Sequence, residues 1–262
     1  MPALLSGEIA IVTGSSGLGT GSEIARVFGD EGACVVVTGR NGVRGEQVAA
    51  SIIDAGGQAM FVRADLSSPA ECAALVERTV DAWGTVSVLV HSAVAMKGDV
   101  HASTHDAPVG AVSDEVWVRN MQINLTSFLW LCRKILPVME AAGRGSIVNI
   151  GSRAAERGTP ERSAYTASKG AVHALVRSIA VDYARLGIRA NTVAAGFIDG
   201  KDRQPISAET RSWAERMHLT RVPTTTDVAY AAAYLASPLS GSITGHTLPV
   251  DGGSSIARAA SL

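Results

Sequence analysis

Short apolar runs that close on glycine or a small polar residue alternate with helical segments along almost the whole chain. Ile9-Ala10-Ile11-Val12-Thr13 closes on Gly14, and residues 33–38 close on Gly39-Arg40-Asn41. Residues 59–62, 86–90, 146–150, 188–193 and 248–250 are further runs of this kind. A run of roughly 4–8 apolar residues between turn residues reads as a strand buried on both faces of a parallel sheet. Between the runs, 22–31, 44–55, 69–83, 114–140, 162–186 and 226–236 read as helices. Ser68 is placed as an N-cap, with Pro69 at the first helical position. Strands alternating with helices at this spacing predict βαβ units and an α/β fold.

Composition narrows the function classes. The 262 residues carry a net charge of −1, which gives no electrostatic case for nucleic acid or an anionic membrane. No run is long and apolar enough to read as a membrane span. Met1 to Glu8 lacks a basic stretch followed by an apolar one, so no signal peptide is expected. The three cysteines, Cys34, Cys72 and Cys132, form no C-x-x-C pair. Their apolar neighbours make Cys34 and Cys132 small core residues. A reducing compartment, the cytoplasm, is the expected location. Asn124-Leu125-Thr126 matches a glycosylation pattern, read as chance without a secretion signal. With no linker or repeat, one domain over 1–262 is expected.

Two stretches carry chemistry. Gly14-Ser15-Ser16-Gly17-Leu18-Gly19-Thr20-Gly21 lies between a strand and a helix, the place where backbone N–H groups and a helix N-terminus bind a pyrophosphate. Tyr165-Thr166-Ala167-Ser168-Lys169 lies on a predicted helix, where residues four apart share a face. A fixed ammonium near a phenol favours the phenolate and turns the tyrosine into a usable general acid or base. Alone, this spacing is as consistent with an exposed helix face.

These pieces occur in order with Asn124 in an Asn-Leu pair, Ser152 thirteen positions before Tyr165, and Val250-Asp251-Gly252-Gly253. Together they resemble the short-chain dehydrogenase/reductase family, in its single-domain, 3-oxoacyl-[acyl-carrier-protein] reductase-like branch. The resemblance covers nearly the whole chain. It implies a Rossmann-like, doubly wound parallel sheet of about seven strands with helices on both faces. It implies Tyr165 as general acid/base, with Lys169 lowering its pKa and bonding the nicotinamide ribose. Ser152 would hold the substrate oxygen, and Asn124 would anchor a water linking Lys169 to solvent. Cofactor contacts would come from Gly14, Ser16, Gly19, Gly21, Arg40, Asp65, Leu66, Ser92, Ala93, Tyr165, Lys169, Gly196 and Ile198. Asp65 would bond the adenine, or instead cap a helix. With no acid at the end of the second strand and Arg40 there, NADP(H) is favoured over NAD(H); the alternative for Arg40 is a solvated loop cation.

The implied reaction interconverts a ketone and a secondary alcohol of a small-molecule substrate. An imine or activated-alkene reductase, or an inactive nucleotide-binding scaffold, are the alternatives. The family commonly forms homotetramers through its two long helices, a homodimer being the alternative. Phe128, Leu129, Leu175 and Val176 are candidates for that packing or for ordinary core.

The chain also departs from the family pattern. The glycine turn has one residue too many if Gly19 and Gly21 are its last pair, or one too few if Gly17 and Gly19 are. The usual Asn-Asn-Ala-Gly is His91-Ser92-Ala93-Val94, in which Val94 is ill-suited to positive φ. The usual Pro-Gly is Ala195-Gly196. The loop 95–113, with Lys97, His101, His105 and Asp106, is long and is expected to shape the substrate pocket rather than bind a metal. Residues 197–220 read as a substrate lid whose Trp213, Met217 and Leu219 face an apolar pocket or pack as core.

Overall fold

The computed structural model describes residues 3–95, 105–199 and 207–256. Its seven strands are β1 (Ile9–Val12), β2 (Cys34–Gly39), β3 (Gln58–Arg63), β4 (Val88–His91), β5 (Gly145–Ser152), β6 (Ile188–Ala195) and β7 (Thr247–Val250). They form one sheet in the order β3-β2-β1-β4-β5-β6-β7, and every pairing is parallel. The strand order reverses between β1 and β4, so a crevice opens there at the carboxyl ends of the strands.

Because side chains alternate along a strand, the two faces feed two cores. Ala10, Val12, Val35, Val37, Val88 and Val90 point to one face, packed by α1 (Thr20–Asp30), α2 (Gly42–Asp54) and α8 (Thr225–Ala236). Ile11, Val36, Leu89 and Ile147 point to the other, against α3 (Pro69–Trp83), α5 (Ser127–Ala142) and α6 (Ser163–Tyr183). The expected doubly wound arrangement is therefore present. Ser68 caps α3 as predicted, its Oγ accepting from the Glu71 N–H at 3.3 Å.

Several expectations need correction. The helix expected over 114–140 is α4 (Asp114–Asn120), then a π-helical turn over Met121–Thr126, then α5. The insertion falls on the segment holding Asn124, where wider turns commonly mark functional positions. Phe128 and Val176 are 0% and 1% exposed and belong to the chain's own core, so they are not available for packing between subunits. Leu129 and Leu175 instead line a surface groove between α5 and α6. Cys72 and Cys132 are the buried thiols, whereas Cys34, at the start of β2, is partly exposed. The 197–220 region contains the helix α7 (Ala208–Met217). Trp213 and Leu219 are exposed there rather than core, with Trp213 edge-on to Phe197 at 6.0 Å between ring centroids.

Candidate active site

The glycine turn is built by close approach. A Cβ on Gly14, which has φ 68°, would lie 2.9 Å from the Cα of Ala93. One on Gly21 would lie 2.4 Å from the carbonyl oxygen of Gly14. Gly19 has φ 129° and ψ −150°, a conformation essentially restricted to glycine. Gly17 has neither a close neighbour nor a left-handed φ. The conformational demand thus falls on Gly14, Gly19 and Gly21, which places the extra residue between Gly14 and Gly19. Gly19 is the N-cap of α1 and supplies no side-chain cap. The first-turn N–H groups and the positive end of the helix dipole are left facing the turn, a fit for the pyrophosphate of a dinucleotide.

Neighbouring strand ends close around this turn. Thr13 Oγ1 accepts from the N–H groups of Ser92 and Ala93 at 3.0 and 3.1 Å, tying β1 to the chain after β4. Ser15 Oγ accepts from the Thr38 N–H at 2.9 Å, tying it to β2. A Cβ on Gly39 would run into the Ser16 side chain, so any larger residue there would displace Ser16. Arg40 follows, exposed, on the crevice side of β2. Among the described residues, the only non-glycine at positive φ is Glu161, so the chain passes Val94 without the backbone that its glycine counterpart permits.

Asp65 follows β3 and accepts from the Ser67 N–H and hydroxyl at 2.9 and 2.8 Å. Burial alone would raise its pKa. The Ser67 bonds and the charges of Arg40 and Arg119 outweigh that, and the net shift is downward. Asp65 and Arg40 therefore belong to one electrostatic neighbourhood. Leu66 places its side chain in the core. Across the sheet, the Gly196 N–H donates to the Val250 carbonyl at 3.0 Å, and a Cβ there would meet Asp251 at 2.7 Å. Ile198 packs on the adjoining core.

The proton-transfer candidates gather at the carboxyl ends of β4 and β5. Lys169 is 3% exposed, and its ammonium donates to the Ile150 carbonyl at 2.8 Å. It lies 5.9 Å from the centroid of the Tyr165 ring, over which Arg162 also sits at 5.5 Å. Desolvation lowers the Lys169 pKa to about 8. Ser152 ends β5. Its Oγ accepts from the Ala154 N–H at 3.1 Å and, among the described residues, donates to no protein group. Asn124 is fully buried: Oδ1 accepts from the Ala95 N–H at 2.9 Å, and Nδ2 donates to Ser168 Oγ at 2.9 Å and Asn120 Oδ1 at 3.3 Å. Asn124 thus ties the chain after β4 to α6 and reaches Lys169 through no direct bond.

Sequence reasoning missed several supporting groups. Ser168, within the Tyr–Lys motif, links Asn124 to the Tyr165 carbonyl, to which its hydroxyl donates at 2.8 Å. Arg153, next to Ser152, forms a buried ion pair with Asp251 at 3.3 Å, tying the Val-Asp-Gly-Gly turn to the site. His91 is fully buried and meets Ser127 Oγ at 3.0 Å through Nε2. Burial, then the Lys169 charge, push it down to about 3. Strand order and the packing of helices on the sheet bring such residues together, and no spacing in the sequence encodes it. Lys97 and His101 lie outside the described residues. Asp106 is engaged with the backbone of α6. Among the described residues there is no cluster placed to hold a metal ion, and no helix long and apolar enough to cross a membrane.

Residues 14–255 match the family model described as enoyl-(acyl carrier protein) reductase. A 3-oxoacyl-[acyl-carrier-protein] reductase of Chlamydia pneumoniae is 33% identical over 97% of this chain and 99% of its own. The gluconate 5-dehydrogenase of Burkholderia cenocepacia J2315, in complex with NADP and tartrate, superposes with a TM-score of 0.88 at 29% identity, covering 98% of both chains. A 7α-hydroxysteroid dehydrogenase complexed with NADH and 7-oxoglycochenodeoxycholic acid gives 0.87 at 32% identity over 96% of both. With this sheet order, this glycine turn and these matches, the chain belongs to the short-chain dehydrogenase/reductase family of NAD(P)-dependent oxidoreductases.

Proposed function

We propose that the protein is an NADP(H)-dependent reductase/dehydrogenase that interconverts a ketone and a secondary alcohol, with Tyr165 as general acid/base. The observation that carries this reading is the burial of the Lys169 ammonium 5.9 Å from the Tyr165 ring, at the carboxyl edge of the sheet. A buried cation this close to the ring would balance the negative charge that proton transfer leaves on Tyr165. The nicotinamide supplies or accepts the hydride. In reduction, Tyr165 gives its proton to the carbonyl oxygen while Ser152 donates a hydrogen bond to that oxygen. Lys169 stabilises the phenolate until solvent returns the proton. Oxidation runs the same steps backward. Asn124 and Ser168 hold the Tyr–Lys helix against the chain after β4. The intact set of Tyr165, Lys169 and Ser152 argues against an inactive scaffold.

Gly14, Ser16, Gly19 and Gly21 would hold the pyrophosphate. Arg40 would read the 2′-phosphate, and Asp65, Leu66, Ser92 and Ala93 would line the adenosine. Gly196 and Ile198 would border the nicotinamide. The support for NADP(H) is Arg40 at the end of β2, where an NAD enzyme carries an acid. The chain would act as one domain, with 197–220 as lid over the substrate. Its subunits would join as a homotetramer through the α5–α6 groove lined by Leu129 and Leu175. Three unpaired cysteines fit a reducing cytoplasm.

Steady-state reduction of a ketone panel with NADPH and with NADH tests the reading. A preference for NADPH that Arg40→Asp reverses supports it. Equal use of both cofactors by both proteins contradicts the role given to Arg40, and no turnover with either contradicts the activity.

A further inference from the structure

Helix α6 carries the proton-transfer residues, yet its own N-cap residue does not cap it. Arg162, at the N-cap, makes no side-chain capping bond, and the first turn holds no acidic residue. The cap comes instead from 106–107, more than fifty residues earlier. Asp106 Oδ1 accepts from the Ala164 N–H at 3.0 Å, and Oδ2 accepts from the Tyr165 N–H at 2.8 Å. The Ala107 carbonyl accepts from the Ser163 N–H at 3.4 Å. Oδ1 also accepts from the Ala107 N–H at 3.0 Å, which fixes the carboxylate on its own loop. The first three helical N–H groups are therefore all held from outside. These are groups that a helix cannot satisfy internally, and a carboxylate there is favoured by the helix dipole.

One of those three N–H groups belongs to Tyr165 itself. We propose that Asp106 is a positioning residue for catalysis: by bridging Ala164 and Tyr165 it fixes where the Tyr165 backbone stands over the substrate. Lys169 is anchored one turn later to β5 through Ile150, so the two ends of the Tyr–Lys pair are pinned to different parts of the fold. Asp106 acts through the backbone of Tyr165 and contacts no reacting atom. The proposal rests on Tyr165 being the general acid/base. Proton transfer needs its groups closely placed, and a displacement of about 1 Å costs on the order of 100-fold in rate. Most of the proposed cofactor contacts are made by residues that Asp106 does not touch, so cofactor affinity should change little.

The test compares Asp106→Ala, Asp106→Asn and Tyr165→Phe for ketone kcat, ketone KM, NADPH Kd and thermal midpoint. Asp106→Ala is expected to lower kcat about 10- to 100-fold, with NADPH Kd within about twofold of wild type. Asp106→Asn keeps one acceptor oxygen and is expected to fall between the two. Wild-type kcat in Asp106→Ala overturns the proposal. So does a parallel loss of kcat, NADPH affinity and thermal midpoint, which marks a purely structural cap. Should Asp106→Ala not fold, Asp106→Asn carries the test: a severalfold lower kcat at unchanged Kd supports the positioning role, and unchanged kcat overturns it. Turnover kept by Tyr165→Phe defeats the tyrosine reading and the positioning role with it. An inactive Tyr165→Phe beside a fully active Asp106→Ala defeats the positioning role alone.

Discussion

The Lys169 ammonium donates to the backbone carbonyl of Ile150 at 2.8 Å, buried beneath the sheet's carboxyl edge. Its folded pKa, about 8, lies below the unfolded value of 10.5. Between those values the unfolded chain binds the extra proton, so stability rises with pH from 8 to 10.5. Below 8 the fold bears the full cost of the charge. That cost is about 3 kcal/mol, with the bond to Ile150 already counted in it. Lys169→Met should therefore keep or raise the thermal midpoint at pH 7 while losing at least ~100-fold in kcat. Calorimetry beside steady-state kinetics checks this. A collapse of the midpoint would make Lys169 a structural residue first.

The glycine turn gives a prediction that separates conformation from composition. Gly17→Ala meets open space and should bind NADPH within about twofold of wild type. Gly19→Ala must hold φ 129°, at a cost of about 1–3 kcal/mol. Gly21→Ala must push against the Gly14 backbone. Both should weaken NADPH binding about tenfold or more. Fluorescence titration reads all three. A strong effect of Gly17→Ala with none at Gly21 would reverse the assignment of the extra residue.

His91 stands at the centre of the sheet, paired in register with Asn149. Its folded pKa, about 3, is depressed below the unfolded 6.5. Between these values the unfolded chain binds more protons, so stability is lost as pH falls from 6.5 toward 3. At pH 5 the loss from His91 is about 2 kcal/mol. His173, pushed down to about 4 by burial and then by the Lys169 and Arg177 charges, adds a second contribution of the same sign. His91→Asn removes the first of these, so its stability should fall less steeply than wild type between pH 7 and pH 5. Urea titrations across that range test it. Equal acid limbs in both proteins would show that His91 is not held neutral by the fold.

Much of the fold was legible because its signals are local. The run at 9–13, Ser68-Pro69 ahead of α3, and the Tyr165–Lys169 spacing each declare one element without reference to the rest. The π-helical turn at Met121–Thr126 was not legible, since an extra residue in a helix leaves the apolar pattern nearly intact. In sequence Phe128 and Val176 fit subunit packing and ordinary core equally, and only the packing of α5 and α6 on the sheet shows them to be core. Asp106 was read with a loop expected to shape the pocket. Its bond to the Tyr165 N–H joins residues far apart in the chain, and no periodicity records such a contact. The glycine register stayed open for a similar reason. Four glycines were visible, but which ones carry an unusual φ is a property of the closed loop.

The central claim is that Tyr165 moves the proton while the rest of the chain binds and orients. Tyr165→Phe keeps the ring and removes only the hydroxyl. The most direct measurement is single-turnover reduction of a ketone with NADPH already bound, in wild type and in this variant. The expected result is a loss of about 100- to 10,000-fold in the chemical step, with NADPH Kd within a few-fold of wild type because the other proposed cofactor contacts remain. A variant that turns over within a few-fold of wild type would contradict the claim.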